Sequence, residues 1–364
     1  MTRSPANRLP DFPWDVLAPF AARAAEHPQG AVDFSVGSPV DDTPALVQAA
    51  LAAASNAPGY PTTAGSPEVR QAASGWINRR LGAEVAPTAV LPVIGSKEFV
   101  AWLPTLLGLG PTDRVVIPKI AYPTYAVGAA LVGAEVIATD RPEDVEAPSL
   151  IWINSPSNPT GSVLPATRLA EIVAYGRSVS ALVVSDECYL ELGWTLDPVS
   201  ILHPSVSGAT HEGVLGLFSL SKRSNLAGYR FGFAAGDQGV VSSLLAVRKH
   251  LGMMVPAPVQ AAAAAALADD SHVAEQRRRY ARRREVMHGA LIQAGFTIDH
   301  SEAGLYLWAT RGEPCWQSVS WFADRGILVT PGDFYGVAGA RHVRVALTAC
   351  DEAVSQFAQR LNRA

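Results

Sequence analysis

Apolar residues run through the middle of the chain in short blocks set between polar, helix-forming stretches. The blocks are "AVLPVIG" (89–95), "RVVIPK" (114–119), "AEVIAT" (134–139), "LIWIN" (150–154), "ALVVSD" (181–186), "GVLGLFSL" (213–220) and "YRFGFAA" (229–235). Most are continuous rather than alternating, the pattern of strands buried on both faces. Between several of them lie helical segments at 97–109, 122–132 and 165–178. Buried strands joined by helical crossovers predict an α/β fold with a mostly parallel central sheet flanked by helices. Ligands on such sheets bind at the carboxyl ends of strands, so the residues that follow each strand carry the functional question.

The pattern changes near residue 257. A long helical tract, "VQAAAAAALADDSHVAEQRRRYARRREVMHGALIQAGF", precedes "GLYLWAT" and "RHVRVALT", which read as strands of a smaller α+β unit. We place a large domain over 38–255 and a discontinuous small domain over 1–37 and 256–364. The basic run Arg277–Arg284 reads as a solvated helix face, with Glu275 and Arg279, and Arg282 and Glu285, at helix-pairing distance.

Composition narrows the class. The chain has 364 residues, 48% of them hydrophobic and 17% charged, with a formal net charge of -4. That is enough for a large core and two domains, and it offers no field for nucleic acid or a membrane surface. Three scattered cysteines and eight scattered histidines form neither a disulfide framework nor a metal site. The N-terminal "MTRSPANRLPDFPWD" lacks the apolar stretch of a signal peptide, and "VQAAAAAALA" is too short and too weakly apolar to span a bilayer. The expectation is a soluble, cytoplasmic protein. Neither a G-x-x-x-x-G-K-[ST] loop nor a G-x-G-x-x-G after a strand supports a nucleotide cofactor.

Three strand ends hold chemistry. After "LIWIN", the turn "SPSNPTG" (155–161) sets Asn154 and Asn158 at its rim. After "ALVV", "SDECY" puts Asp186 at a strand end with Tyr189 close behind; alone, such an aspartate is often a helix cap. Cys188 between them, with no histidine pattern nearby, reads as a packing residue. After "GVLGLF", "SLSK" brings Ser219, Ser221 and Lys222, followed by Arg230. Taken alone, Lys222 reads equally well as a surface lysine. A desolvated lysine beside another cation loses its proton readily and becomes a nucleophile. Arg230 adds a forked charge suited to phosphate. A carboxylate, a phenol, an amide, an amine and an arginine at the strand ends of one sheet match the needs of pyridoxal phosphate. The lysine would form a Schiff base, and the carboxylate would keep the ring nitrogen protonated.

These motifs resemble the fold-type I, pyridoxal-phosphate-dependent aminotransferases of class I/II. "NSPSNPTG", "SDECY" and "SLSKRSNLAGYR" look like their asparagine, aspartate-x-x-tyrosine and Schiff-base lysine segments, in the same order and spacing. The resemblance covers nearly the whole chain. It implies that Lys222, Asp186 and Tyr189 are catalytic, and that Gly95, Ser96 and Lys97 of "GSKE" form a phosphate loop at a helix start. It implies cofactor contacts for Tyr122, Asn158, Ser219, Ser221 and Arg230. In "GYPTTAGSPEVR", Tyr60 would reach the cofactor phosphate of a neighbouring subunit, giving a homodimer with shared sites. In "FSVGSPVDDTP", Gly37 would lie near the substrate carboxylate, which Arg344 of "RHVRVALT" would bind together with Asn158.

Within the family, "LPDFPWD", "GSPVDDTP", "APGYPTTAG" and "VIGSKE" look most like actinobacterial N-succinyldiaminopimelate aminotransferases of lysine biosynthesis. The implied reaction moves an amino group between N-succinyl-LL-2,6-diaminopimelate and 2-oxoglutarate. Lys97 and the Arg248–Lys249–His250 cluster are the cations available for the far end of that substrate. "VRKHLGMM" does not align with the second arginine of the aspartate-specific branch, which disfavours a strict aspartate enzyme. The alternatives are an aminotransferase for aspartate, aromatic amino acids or methionine, and a carbon–sulfur β-lyase of the same fold. A non-catalytic cofactor-sensing domain is the alternative from another class.

Overall fold

Residue 9 and residues 13–362 are described by a computed structural model. Most of the stretch read for a leader, including part of "LPDFPWD", lies outside the described residues. The strands are β1 (Val32–Asp33), β2 (Val90–Val93), β3 (Arg114–Ile117), β4 (Glu135–Ala138), β5 (Leu150–Asn154), β6 (Leu182–Asp186), β7 (Val214–Ser219) and β8 (Gly232–Gly236). Five more follow: β9 (Thr297–Ile298), β10 (Tyr306–Thr310), β11 (Ile327–Leu328), β12 (Thr330–Pro331) and β13 (Val343–Ala346).

The seven apolar blocks become β2–β8 and assemble into one sheet of order β2-β8-β7-β6-β5-β3-β4. β8 runs antiparallel to both its neighbours, and the other pairings are parallel. β5, β6, β7 and β8 are buried along their whole length, which explains why their sequences do not alternate. β7, β6 and β5 are adjacent, so Ser219, Asp186 and Asn154 end three neighbouring strands. Asn154 lies directly across from Asp186 in the ladder.

Helices in chain order are α1 (Ala18–Ala25), α2 (Ala45–Ala53), α3 (Pro67–Trp76), α4 (Ser96–Leu106), α5 (Thr124–Val132), α6 (Ala166–Ser178), α7 (Pro204–Ser207) and α8 (Leu220–Arg223). The rest are α9 (Gln238–Leu251), α10 (Ala257–Ala268), α11 (Ser271–Gln293), α12 (Cys315–Ala323) and α13 (Asp351–Leu361). One face of the sheet packs on α4, α5 and α9 through Phe99, Leu103, Tyr125, Ala129 and Leu244. The other packs on α3, α6 and α10 through Trp76, Leu169, Ile172 and Ala263.

A second core joins Leu17, Val32 and Phe34 to α11, α12, α13 and the sheet β12-β13-β10-β9. β1 pairs with β11, which ties the N-terminal segment to the C-terminal third. The long helical tract differs from its sequence reading. It breaks between α10 and α11, where Asp269 accepts hydrogen bonds from the backbone and side chain of His272. α10 also packs with the large sheet's core, because its alanines are small enough to lie against α2 and α3. Residues 257–268 therefore share the large unit's core, although the sequence reading placed them with the small one. Among the described residues no helix is long and apolar enough to cross a membrane.

Candidate active site

The three adjacent strand ends open on a cavity of about 520 Å³. Gly37, Ser96, Lys97, Tyr122, Asn158, Asp186, Tyr189, Ser219, Ser221, Lys222, Arg230 and Arg344 all line it. A larger hollow of about 650 Å³ runs along α11 beside Trp194 and His288, but it holds none of these groups. Chemistry rather than volume picks the site.

Lys222 is positioned by β7 running straight into α8. Ser219 caps that short helix, its hydroxyl accepting from the Ser221 backbone at 3.1 Å. The Lys222 amine donates to the carbonyl of Gly37. Burial holds its pKa below the ordinary lysine value, helped by Arg344 and Arg230 and opposed by Tyr306 and Cys188.

On the neighbouring strand, Asp186 is buried and accepts from the Tyr125 hydroxyl at 2.8 Å and the Cys188 backbone at 3.2 Å. Burial raises its pKa, and these hydrogen bonds pull the other way. No ion pair reaches it among the described residues. Asn154 braces this strand end, its amide donating to the Asp186 carbonyl at 2.9 Å and its oxygen accepting from Asn158 N at 2.7 Å. Asn158 in turn accepts from Arg344 Nη1 at 3.1 Å.

Arg344 enters from β13. Its Nη2 donates to the Ser35 carbonyl, while its Nε is buried without a protein partner among the described residues. Burial disfavours its charge, yet the tyrosines around it, Tyr335 and Tyr306 first, keep its pKa raised. Opposite it, Arg230 lies against Gly95 at the start of α4. A β-carbon on Gly95 would sit 2.4 Å from Arg230 Nη2, and the residue has φ +79°, so only glycine suits the position. Arg230, the amides that open α4 and the hydroxyls of Ser96, Ser219 and Ser221 form an anion cradle.

This donor set fits pyridoxal 5′-phosphate. The cradle would take the phosphate, and Lys222 would supply the amine. Asp186, a buried carboxylate with no cation partner among the described residues, would hold the ring nitrogen. The chain's other predicted contact, Tyr60, is 95% exposed between α2 and α3 and lines no part of the cavity. Of the two cation sets considered for the far end of the substrate, Lys97 lines the cavity. The Arg248 cluster is a correction: Arg248 is fully buried and ion-paired with Glu98 at 2.8 Å, and none of the three residues lines the site.

Sequence reasoning missed Tyr125 and Tyr306. Tyr125 sits in an apolar helix with no polar signature to mark it. Tyr306 joins the site only through the pairing of β10 with β13. Cys188, read as packing, is half-buried, lines the cavity and offers its backbone amide to Asp186.

The family model for aminotransferases of class I and II matches residues 29–361. A probable aminotransferase of Mycobacterium tuberculosis is 59% identical over 356 residues, covering 97% of this chain and 85% of that protein. OxyQ of Streptomyces rimosus, a 4-dedimethylamino-4-oxo-anhydrotetracycline transaminase, is 56% identical over 357 residues, covering 98% and 99%. Among solved structures, a probable N-succinyldiaminopimelate aminotransferase from Thermus thermophilus superposes with a TM-score of 0.87. It is 28% identical and covers 97% of this chain and 100% of its own.

Proposed function

The chain belongs to the class I and II aminotransferases, and from that premise we propose that it transfers the amino group of N-succinyl-LL-2,6-diaminopimelate to 2-oxoglutarate. Its cofactor is pyridoxal 5′-phosphate, which when bound supplies a ring that accepts electrons from the substrate carbon and makes its Cα proton acidic. Lys222, whose pKa burial lowers, is placed to take that proton at Nζ as the general base. Asp186 holds the positive charge at the ring nitrogen. Arg344, fixed by Ser35 and Asn158, binds the α-carboxylate through its remaining donors.

The observation that carries the finer reading is the placing of Lys97 on the cavity wall. Arg230, Arg344 and Lys222 serve the phosphate, the α-carboxylate and the cofactor, and Lys97 adds a further lining cation that can meet a distal carboxylate. The likeness to the Thermus structure supports the same substrate. A second reading rests on one comparison, the 56% identity with OxyQ, and would put the acceptor carbonyl on an anhydrotetracycline ring system.

The test is kcat/KM for the succinylated donor against alanine, aspartate, glutamate and aromatic donors, each with 2-oxoglutarate. Preference for the succinylated donor, reduced roughly tenfold or more by Lys97→Ala while short donors are unaffected, is the expected result. Equal or better use of a plain amino acid sinks the assignment. Turnover of the oxo-anhydrotetracycline without turnover of the succinylated donor establishes the second reading instead, and pyruvate release from cystathionine would mark a β-lyase.

A further inference from the structure

Tyr306 belongs to none of the motifs that nominate the site, yet it touches several of the groups they name. The guanidinium carbon of Arg344 lies 4.1 Å from the centre of its ring. Its hydroxyl is 3.2 Å from the hydroxyl of Tyr189, and the two rings meet edge-on with centroids 5.7 Å apart. A β-carbon on Gly37 would fall 2.2 Å from the same hydroxyl, so the absence of a side chain there makes room for it. Gly37 is also the residue whose carbonyl receives the Lys222 amine. The strand ladder fixes this arrangement: Tyr306 faces Ala346 and Trp308 faces Arg344, so Tyr306 and Arg344 are diagonal neighbours on one face.

We propose that Tyr306 is a positioning residue with two separable parts. Its hydroxyl aims the proton of Tyr189 at the cofactor's ring hydroxyl, and its ring holds Arg344 flat for the substrate carboxylate. The first part rests on the assignment of Tyr189 to that ring hydroxyl. Each phenol has one proton to give. If Tyr189 gives its proton to the cofactor's ring hydroxyl, Tyr306 is the phenol left to donate between the two hydroxyls. When Tyr306 donates, the Tyr189 proton points away from it, into the cavity that both line. Receiving a hydrogen bond also strengthens Tyr189 as a donor. For the second part, Arg344 is hydrogen-bonded to Asn158 and Ser35, and its guanidinium lies against the rings of Tyr306 and Tyr335, the latter at 5.1 Å. A fork so held is preorganised for a planar carboxylate.

The test uses the cofactor-loaded protein and its visible absorbance as a function of pH. The charged and titratable groups facing the two phenols, Asp186, Cys188, Lys222, Arg344, Tyr122, Tyr125, Tyr280 and Tyr335, stay in place throughout. A phenol donating to the ring oxygen stabilises its anionic form, so a weaker donor moves the midpoint to higher pH. Tyr306→Phe keeps the ring and removes only the hydroxyl. It is expected to raise the midpoint by an amount equal to a roughly three- to tenfold change in the protonation equilibrium. Tyr189→Phe should raise it at least as far, and the double variant no further than Tyr189→Phe alone. Maleate, a non-reacting dicarboxylate, should bind Tyr306→Phe within about twofold of the parent and Tyr306→Leu roughly tenfold more weakly. An unmoved midpoint in Tyr306→Phe beside a moved one in Tyr189→Phe overturns the proposal, as do additive shifts in the double variant. An unmoved midpoint in Tyr189→Phe overturns the assignment of Tyr189 beneath it.

Discussion

Lys222 and Asp186 are both buried, and burial pushes each toward its uncharged form. For the lysine that is useful, because a neutral amine is the nucleophile. For the aspartate the cavity has to supply a cation. Glu187, next along the chain, has no such outlet. It accepts from Ser200 Oγ and Ile201 N, both at 2.6 Å, and burial raises its pKa from 4.5 to about 7. The folded state therefore binds this proton more tightly than the unfolded chain does. Its contribution to stability is full below pH 4.5 and is lost as pH rises through about 7. The gap corresponds to something on the order of 3 kcal/mol. Glu187→Gln keeps the shape and removes the titration. Urea unfolding at pH 5 and pH 8 should show the parent losing stability relative to this variant; parallel curves would refute the buried-acid account.

The elements were legible wherever local pattern and burial coincide. The inner strands of the large sheet could be read from apolar blocks because strands covered on both faces have no polar side to show, whereas the edge strand β4, largely exposed, was legible from its β-branched residues Val136 and Ile137. The Asn, Asp and Lys motifs were legible for a related reason: each directly follows a strand, and the strand order brings three such ends together. What pairs distant segments was not legible. Tyr306 required knowledge of the β10–β13 ladder, and the arginines of α11 required its neighbours. Read as solvated, that run keeps its Glu275–Arg279 pair, but Arg277 donates to Gly193, Arg284 to Ser301 and Arg283 to Asp41. Arg283 and Asp41 form two hydrogen bonds of 2.7 and 2.6 Å with both side chains largely buried. This clamp fixes the segment after Gly37, whose carbonyl holds Lys222. Arg283→Met leaves the largely buried Asp41 carboxylate without its ion-pair partner and with only the Gln276 Nε2 hydrogen bond, and is expected to cost about 3–5 kcal/mol in urea unfolding. Adding Asp41→Asn should recover part of that loss. A loss below about 1 kcal/mol would mean that the pair behaves as an exposed one.

At the scale of the whole molecule, one feature makes no sense within a single chain. Tyr60 stands 95% exposed on the loop between α2 and α3 and does not line its own chain's cavity, while the family resemblance nominates it for a neighbouring subunit's site. A phenol so placed gains nothing by burial in its own chain, but it can complete a site on another copy. A homodimer with shared sites is the arrangement we propose, and two-fold symmetry makes the exchange reciprocal. Hybrids test it. Lys222 and Arg344 line one cavity of one chain, so mixing Lys222→Ala with Arg344→Ala protein leaves every site broken. Mixing Lys222→Ala with an inactive Tyr60 variant differs. In a hybrid dimer, the chain that keeps Lys222 receives Tyr60 from its partner, and one complete site forms. With equal amounts and free reassortment, about one quarter of parental activity should return. Tyr60→Ala serves if Tyr60→Phe retains turnover, since it removes the ring as well as the hydroxyl. Recovery in the second mixture and none in the first locates Tyr60 across the interface. Equal silence in both mixtures after verified subunit exchange, or a fully active monomer on gel filtration, rejects the shared site.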